Sequence, residues 1–477
     1  MAEVAVQQPT AGDRQDGASK VPQITASLVV TLGGFCLGLS IGWSSPVEYI
    51  LGQTTNTHNA SACTKETTQS IVNDHFFWTA SMLALGAMCV MFPTAFMLDR
   101  IGRKLTMLSA APLLCISFLI VGVSFNAYAW MVGRFVMGFA GAAFGIAGPI
   151  FVGEIAQHNI RGTLCFSFQL LLVIGIAMEY TLGLTGNWSV VGCVSAAFPL
   201  IFFIIFIFMP ETPTFLLMKG KSHAAAKSLQ WYRGKNYDIR MELKELKEAV
   251  EEMTSTEVSY KDLFRTVAGR KSLIISLGLM IFQQLSGINV VMFHSSAVFQ
   301  STGSVLTPIS SAIVLAIVQI AGTLVSTSVV DRVGRKLLLY VSHVGMGVCL
   351  CAVGFWFVCL DCTSSDISAE LRVIPMALFC LYLMFFSLGC GPIPFTMVGE
   401  IFPKELKGIC GSIAGFVNWG SACIVTVTFS KLKDAAPPYV PFFIYALFCF
   451  ICNVFCFFIV VETKGKTLEE IQKELQN

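Results

Sequence analysis

Long, nearly unbroken apolar runs alternate along this chain with short polar or charged breaks. A helix needs ~20 mostly apolar residues to cross the hydrocarbon core of a bilayer. About twelve runs meet that length, near 24–47, 76–98, 105–125, 129–152, 163–184, 188–209, 272–295, 305–330, 337–360, 373–398, 409–430 and 438–461. The pattern predicts an all-α membrane protein with about twelve transmembrane helices. The first run is too long for the core of a cleaved signal, so it is expected to stay as a spanning helix.

The breaks repeat. Asp99-Arg-Ile-Gly-Arg-Lys104 returns as Asp331-Arg-Val-Gly-Arg-Lys336, Gly153-Glu154-Ile155 with Arg161-Gly162 returns as Gly399-Glu400-Ile401 with Lys407-Gly408, and Pro210-Glu211-Thr212 returns as Val461-Glu462-Thr463. The order is the same in both halves, which indicates a duplicated six-helix unit. Parallel repeats of this kind pack as two pseudo-symmetric bundles with a substrate path between them, near the bilayer midplane. The expected organisation is an N-terminal tail 1–23, a first bundle 24–209, a linker 210–271 with short helices, a second bundle 272–461 and a C-terminal tail 462–477.

Charge orients the bundles. Arg100, Arg103, Lys104, Arg161, the Lys-rich stretch 219–271, Arg332, Arg335, Lys336, Lys404 and Lys407 all fall in breaks on one side. By the positive-inside rule that side is cytosolic, and so are both termini. The stretch with Lys431 and Lys433 is the exception. Asn59-Ala-Ser61, in the long loop after the first span, then faces the glycosylating side; Asn187-Trp-Ser189 sits too close to the membrane for modification. In the linker, residues 238–252 alternate acids and bases at helical spacing, as a solvated helix does.

Composition excludes other classes. The chain is 55% hydrophobic and 13% charged, with a mean hydropathy of +0.71, far from the roughly 25% charged of soluble domains. A net charge of +2 names no nucleic-acid partner. Most of the 17 cysteines lie in apolar runs, where a thiol behaves as a small hydrophobe. Cys63 and Cys362 fall in loops on the same side and are able to pair. No metal cluster, nucleophile–base pair or phosphate loop stands at suitable spacing, so neither an enzyme nor a cofactor is expected. No obligate protein partner is implied.

Seven motifs in one order resemble the sugar porters of the major facilitator superfamily over nearly the whole chain. They are Asp99-Arg-Ile-Gly-Arg-Lys104, Gly133-Arg-Phe135, Pro210-Glu-Thr-Pro213, Gln283-Gln-Leu-Ser-Gly-Ile-Asn289, Gly391-Pro-Ile-Pro394, Gly399-Glu-Ile-Phe-Pro403 and Glu462-Thr-Lys-Gly-Lys466. Within that group Leu229-Gln-Trp-Tyr-Arg-Gly-Lys235, Ser387-Leu-Gly389 and the missing acid in the first helix look most like insect facilitated trehalose transporters and related hexose facilitators. The resemblance implies the major facilitator fold, alternating access and a sugar substrate. Trehalose, glucose, fructose and a polyol stay open.

A sugar offers hydroxyls and no charge, so its site needs neutral donors and acceptors beside a flat apolar wall. Amides supply both hydrogen-bonding roles, and polar groups at membrane depth are functional suspects. The candidates are Gln169, Gln283, Gln284, Asn289, Gln319 and Asn418, with Trp419, Phe395 and His294. The resemblance implies that the matching amides contact sugar hydroxyls and that Trp419 packs on the ring. The competing reading is an amide that only bridges to a neighbouring helix, worth ~0.6 kcal/mol. Gly389, Gly391, Pro392 and Pro394 interrupt the tenth span and are read as a gating hinge, with a static kink as the alternative.

The charged motifs supply a second set: Asp99, Arg100, Arg103, Glu154 and Arg161 in one half, Asp331, Arg332, Arg335, Glu400 and Lys407 in the other. The resemblance pairs them as salt bridges that hold the cytosolic ends together while the outside is open; the bland reading is a topology signal. Proton-driven relatives carry an Asp in the first helix where this chain has Ser40, which favours facilitated diffusion. Glu179 and His294 keep proton coupling as an alternative, and a non-transporting sugar sensor is a third reading. Phe395 stands where the family generally has Trp, which removes an indole donor from the site.

Overall fold

The computed structural model describes residues 19–56, 76–255, 260–302, 306–362, 371–403 and 406–476. Asn59 and Cys63 lie outside them, as does the side chain of Asp331. Among the described residues there is no strand. The first half runs through α1 (Val21–Gly42), α2 (Ser44–Asn56), α3 (Phe76–Arg100), α4 (Arg103–Val123), α5 (Ala127–Ile155), α6 (His158–Leu182) and α7 (Trp188–Phe206). Shorter helices follow: α8 (Pro213–Met218), α9 (Ser222–Arg233), α10 (Arg240–Ser255) and α11 (Tyr260–Arg265). The second half contains α12 (Val267–Leu285), α13 (Ile288–Phe293), α14 (Ser295–Thr302), α15 (Pro308–Val333), α16 (Arg335–Cys362), α17 (Ile374–Phe385), α18 (Ile393–Ile401), α19 (Lys407–Ala435) and α20 (Val440–Phe458), and α21 (Leu468–Gln476) closes the chain.

Eleven stretches among the described residues are long and apolar enough to cross a membrane, with α1 and α2 forming one and α17 to α18 another. The seventh expected span is not among them because it is broken. Gly287 takes φ +84° against the ring of Tyr445, where a side chain of its own would clash, and α12, α13 and α14 follow one another in separate short runs. The outer faces of the spanning helices expose large apolar side chains such as Leu105, Val123, Phe208, Val348 and Phe355, the surface that a bilayer covers.

Within the first half α1 lies along α6, and α3 and α4 pack on α5; within the second, α16 packs on α17 and α20. Close approach substitutes for the hydrophobic drive that lipid removes. A methyl on Gly38 of α1 would overlap the Leu172 carbonyl of α6, so those backbones touch directly. Between halves α3 packs on α19 and α6 on α15. Span two thus meets span eleven and span five meets span eight, pairs that exchange when the halves are swapped, as a repeat requires.

The linker is less solvated than its charge pattern suggests. Leu243, Leu246 and Val250 of α10 share one face and pack on Leu217 and Ala225 of α8 and α9. Lys244–Glu248 and Lys247–Glu251, each 3.7 Å apart, occupy the exposed side.

Candidate functional site

The two glycines of the repeated charged loops explain the motif. Gly102 and Gly334 have φ of +97° and +104°, and a Cβ there would collide with Glu211 Oε2 in the first loop and lie 2.8 Å from Glu462 Oε2 in the second. Without it, each carboxylate reaches the free N–H groups that open the next helix. The Lys104 N–H donates to Glu211 at 3.0 Å, and those of Arg335 and Lys336 donate to Glu462 at 3.0 and 2.9 Å. An acid at a helix N-terminus is favoured by the dipole and by the orphan donors. The two environments differ. Burial pushes the Glu211 carboxyl above its usual range, against the Thr212 and Lys104 N–H groups. Burial also acts on Glu462, but the N–H groups of Lys464, Arg335, Lys336 and Thr463 outweigh it and hold that carboxyl below the usual range.

The next charges join this cap within each half. Arg103 donates to Glu154 at 2.6 Å and Arg335 to Glu400 at 2.9 Å. The Thr463 hydroxyl donates to Glu400 at 2.5 Å. These pairs tie α4 to α5 and α16 to α18, each within its own half. Asp99, Arg100, Arg161 and Arg332 are exposed, and Lys407 is half-buried. Glu211 and Glu462 completed the motifs in the sequence but were missed as members of the site; their equivalent places in the two halves were the available signal.

The amides assemble where helices break. Gln284 donates to Asn418 Oδ1 at 3.0 Å, Asn418 donates to Gln283 Oε1 at 2.7 Å, and Asn289 donates to Gln284 Oε1 at 2.5 Å. Gln283, Gln284 and Asn418 are buried and Asn289 half-buried. The Gln283 amide also donates to the Cys390 and Gly391 carbonyls at 2.8 and 2.9 Å. The first of these carbonyls is free because of the interrupted tenth span. Pro394 has no N–H for the Cys390 carbonyl and Pro392 none for that of Leu388. Phe386–Cys390 winds as a π turn, with the Gly391 N–H on the Phe386 carbonyl at 2.8 Å. The Ser342 hydroxyl accepts from the Cys390 N–H at 2.9 Å. The hinge expected at Gly389, Gly391, Pro392 and Pro394 is therefore a break stitched to the amide cluster.

The other candidates scatter around it. Gln319 is buried on α15 with its Oε1 unpartnered. Trp419 is half-buried beside Asn418, and Phe395 is 53% exposed. Gln169 shares one face of α6 with Val173, Ile176 and Tyr180. Those three are buried, and the Tyr180 hydroxyl donates to the Met292 carbonyl of the other half at 2.7 Å. Gln169 is exposed on that same face, so this face of α6 is uncovered a single turn below Val173, toward the charged-loop end, while Phe92 of α3 still meets Phe416 of α19 with ring centroids 5.4 Å apart.

At the opposite end the halves meet. His294 Nδ1 lies 2.8 Å from Glu48 Oε2 of α2, rather than among the amides. The Ser45 hydroxyl lies 2.7 and 2.9 Å from those of Ser295 and Ser296. Glu48 was missed in the sequence, since nothing local marks a partner 246 residues away. A second buried cluster brings Arg134 of the Gly133-Arg-Phe135 motif near Glu179, two residues read separately in the sequence. Arg134 of α5 is fully buried, donates to the Ser40 carbonyl, lies 3.3 Å from the Ser44 hydroxyl, and stacks over Trp43 at 5.3 Å. Glu179 is the acid acting on it, buried with its Oε2 accepting from Ser195 at 2.6 Å.

Among the described residues no group of His, Cys, Asp and Glu has the arrangement of a metal site. All cysteines described are free thiols, Cys362 included.

Comparison with known proteins agrees with this architecture. The profile of the family described as Sugar (and other) transporter spans residues 26–475. The facilitated trehalose transporter Tret1-2 homolog of Drosophila sechellia is 34% identical over 455 residues, covering 95% of this chain and 91% of that protein. The facilitated trehalose transporters Tret1 of Drosophila willistoni and Aedes aegypti are each 33% identical over 95% of this chain, which spans only 51% and 55% of their lengths. Among solved structures, the proton:xylose symporter XylE bound to 6-bromo-6-deoxy-D-glucose superposes with a TM-score of 0.75 at 22% identity, covering 96% of this chain and all of that one. A partially occluded inward-open XylE from E. coli gives 0.76 at 21% identity over 93% and 99%. These likenesses show the major facilitator fold. The chain belongs to the sugar transporter family, whose members are transporters and not enzymes.

Proposed function

We propose that this protein carries a neutral sugar, trehalose or a hexose, across the membrane by facilitated diffusion, its two halves rocking about the amide cluster. The observation that carries the reading is the bonding of Gln283, Gln284, Asn289 and Asn418 to one another and to the carbonyls of the broken tenth span. A sugar hydroxyl entering the cluster exchanges these internal bonds for bonds to itself, at small net cost. Taking Gln283 away from Cys390 and Gly391 frees the π turn to move, which links occupancy to the hinge. Trp419 offers the ring a flat apolar wall, and the exposed Gln169 and Phe395 line the way to it. The bonded far end and the uncovered face of α6 toward the charged loops fit a state open toward the cytosol, with both termini cytosolic in a plasma-membrane protein. The charged caps keep each half rigid while it turns.

Ser40 supports the uniport reading. Its hydroxyl donates to the Cys36 carbonyl one turn back at 2.9 Å and offers no titratable group. A second reading, proton coupling, is favoured by Glu179, a buried acid acting on Arg134. The test is uptake by proteoliposomes carrying the purified chain, with labelled trehalose, glucose, fructose and a polyol, with and without a proton gradient. Sugar-selective uptake that ignores the gradient, and falls at least tenfold in Gln284→Ala at unchanged protein content, supports the proposal. Uptake that follows the gradient moves the assignment to symport, and normal uptake in Gln284→Ala removes the cluster from the path.

A further inference from the structure

A cavity of about 390 Å³ lies away from the sugar path, at the charged-loop end of the first half. Val21, Pro22 and Thr25 of α1, Met209 just after α7, and Trp231 and Lys235 at the end of α9 line it. Its walls are built rather than loose. The Ser19 N–H donates to the Arg233 carbonyl at 2.8 Å, fastening the start of α1 to the end of α9. Arg233 is buried, ion-paired with Glu242 at 2.6 Å and bonded to the Ile155 carbonyl at 2.7 Å, which fastens α9 in turn to α10 and α5.

The chemistry around the mouth has two components. Val21 and Phe208 beside it are 69% and 79% exposed, and Ile24 and Leu28 continue the exposed apolar strip along α1. One wall of the groove is therefore the bilayer, at the edge of its hydrocarbon. Trp231 is 41% exposed at that edge, the depth at which indoles collect. Lys235 lines it and is exposed, Lys20 beside Val21 and Lys227 are exposed as well, and among the described residues none of the three is in an ion pair. Lys227 precedes Trp231 by one helical turn and shares its face. No carboxylate lines the groove.

We propose that this groove binds an anionic phospholipid of the leaflet on the charged-loop side, with one acyl chain between α1 and Met209, the glycerol beside Trp231 and the phosphate among Lys20, Lys227 and Lys235. An apolar slot open sideways to lipid and rimmed by unpaired cations matches an amphiphile with a negative head, and basic pockets beside spanning helices take such lipids. A soluble anion would use the rim and leave the slot bare. A peptide would leave its backbone donors facing apolar walls. Lipid bound here bridges α1, α7 and α9, joining the linker to the first bundle.

The experiment uses the full chain in nanodiscs containing brominated phosphatidylserine or brominated phosphatidylcholine. The Trp231 signal is the difference between wild type and Trp231→Phe. The expected result is quenching by the serine lipid at a mole fraction at least tenfold lower than by the choline lipid. That preference should fall about fivefold for each lysine removed in the series Lys20→Gln, Lys227→Gln and Lys235→Gln, with thermal stability unchanged. Native mass spectrometry should show one retained phosphatidylserine in wild type and none in the triple variant. Equal quenching by both lipids, a preference that survives the triple variant, or a Trp231 that neither lipid reaches because a protein segment covers it would each overturn the assignment.

Discussion

The contact between Glu48 and His294 can be tested as a latch. It joins α2 to the segment after α13 across the two halves at 2.8 Å, with side-chain exposures of 20% and 7% for Glu48 and His294. Ser45 bonds to Ser295 and Ser296 beside it. A hydrogen bond to a charged group contributes about 1.5–3 kcal/mol when well buried, and partial exposure of Glu48 places this one toward about 1–2 kcal/mol. In Glu48→Gln the neutral amide keeps the shape and loses the charge. The equilibrium at that end should then shift toward the open form by roughly 5- to 30-fold. Hydrogen exchange measured by mass spectrometry reads this directly. Backbone amides in 44–56 and 288–302 should exchange faster by that factor, while those in 84–100 keep their rates. The exchanged pair Glu48→His with His294→Glu should restore most of the protection. Unchanged exchange in both segments, or an equal rise over the whole protein, would refute the latch.

Other substitutions probe the remaining devices. Gly334→Ala places a Cβ 2.8 Å from Glu462 at φ +104° and should lower stability by about 1–3 kcal/mol in thermal unfolding, whereas Gly408→Ala, with open space around it, should change little. Glu462→Gln should cost about 1 kcal/mol at neutral pH, allowing for screening at this partly exposed site. Because the folded carboxyl is held below its usual range, that stability is present above the ordinary carboxylate pKa and is lost as pH falls through the lowered value. The gap between wild type and Glu462→Gln should therefore close on acidification, and a pH-independent gap would contradict the cap. Glu179→Ala takes away the acceptor of the buried Ser195 hydroxyl and should cost about 1–3 kcal/mol, seen as lost thermal stability or yield. Pro394→Ala supplies an N–H for the Cys390 carbonyl that now accepts from Gln283; transport should slow more than sugar binding weakens, and a change confined to binding would count against a moving hinge.

The sequence alone carried the membrane class, eleven of the twelve spans, the duplication and four amides that assemble out of the six candidates. Each rests on a local quantity. A bilayer demands ~20 apolar residues whatever surrounds them, and a repeated charged loop or a run such as Gln283-Gln284 to Asn289 is visible without knowing its neighbours. Even the break at Gly287 and the interrupted tenth span could be located from residue type, because Gly and Pro act through their own backbones. Tertiary structure decided the partners. Glu48 with His294, Glu179 with Arg134, Glu211 and Glu462 with the helices they cap, and Gln283 with the carbonyls of Cys390 and Gly391 are all long-range pairs. Apolar packing in lipid leaves the rotation and register of each helix weakly specified by its own pattern, since nearly every face is apolar. Close glycine contacts and buried polar bonds set them instead, and only the folded bundles reveal which polar groups those are.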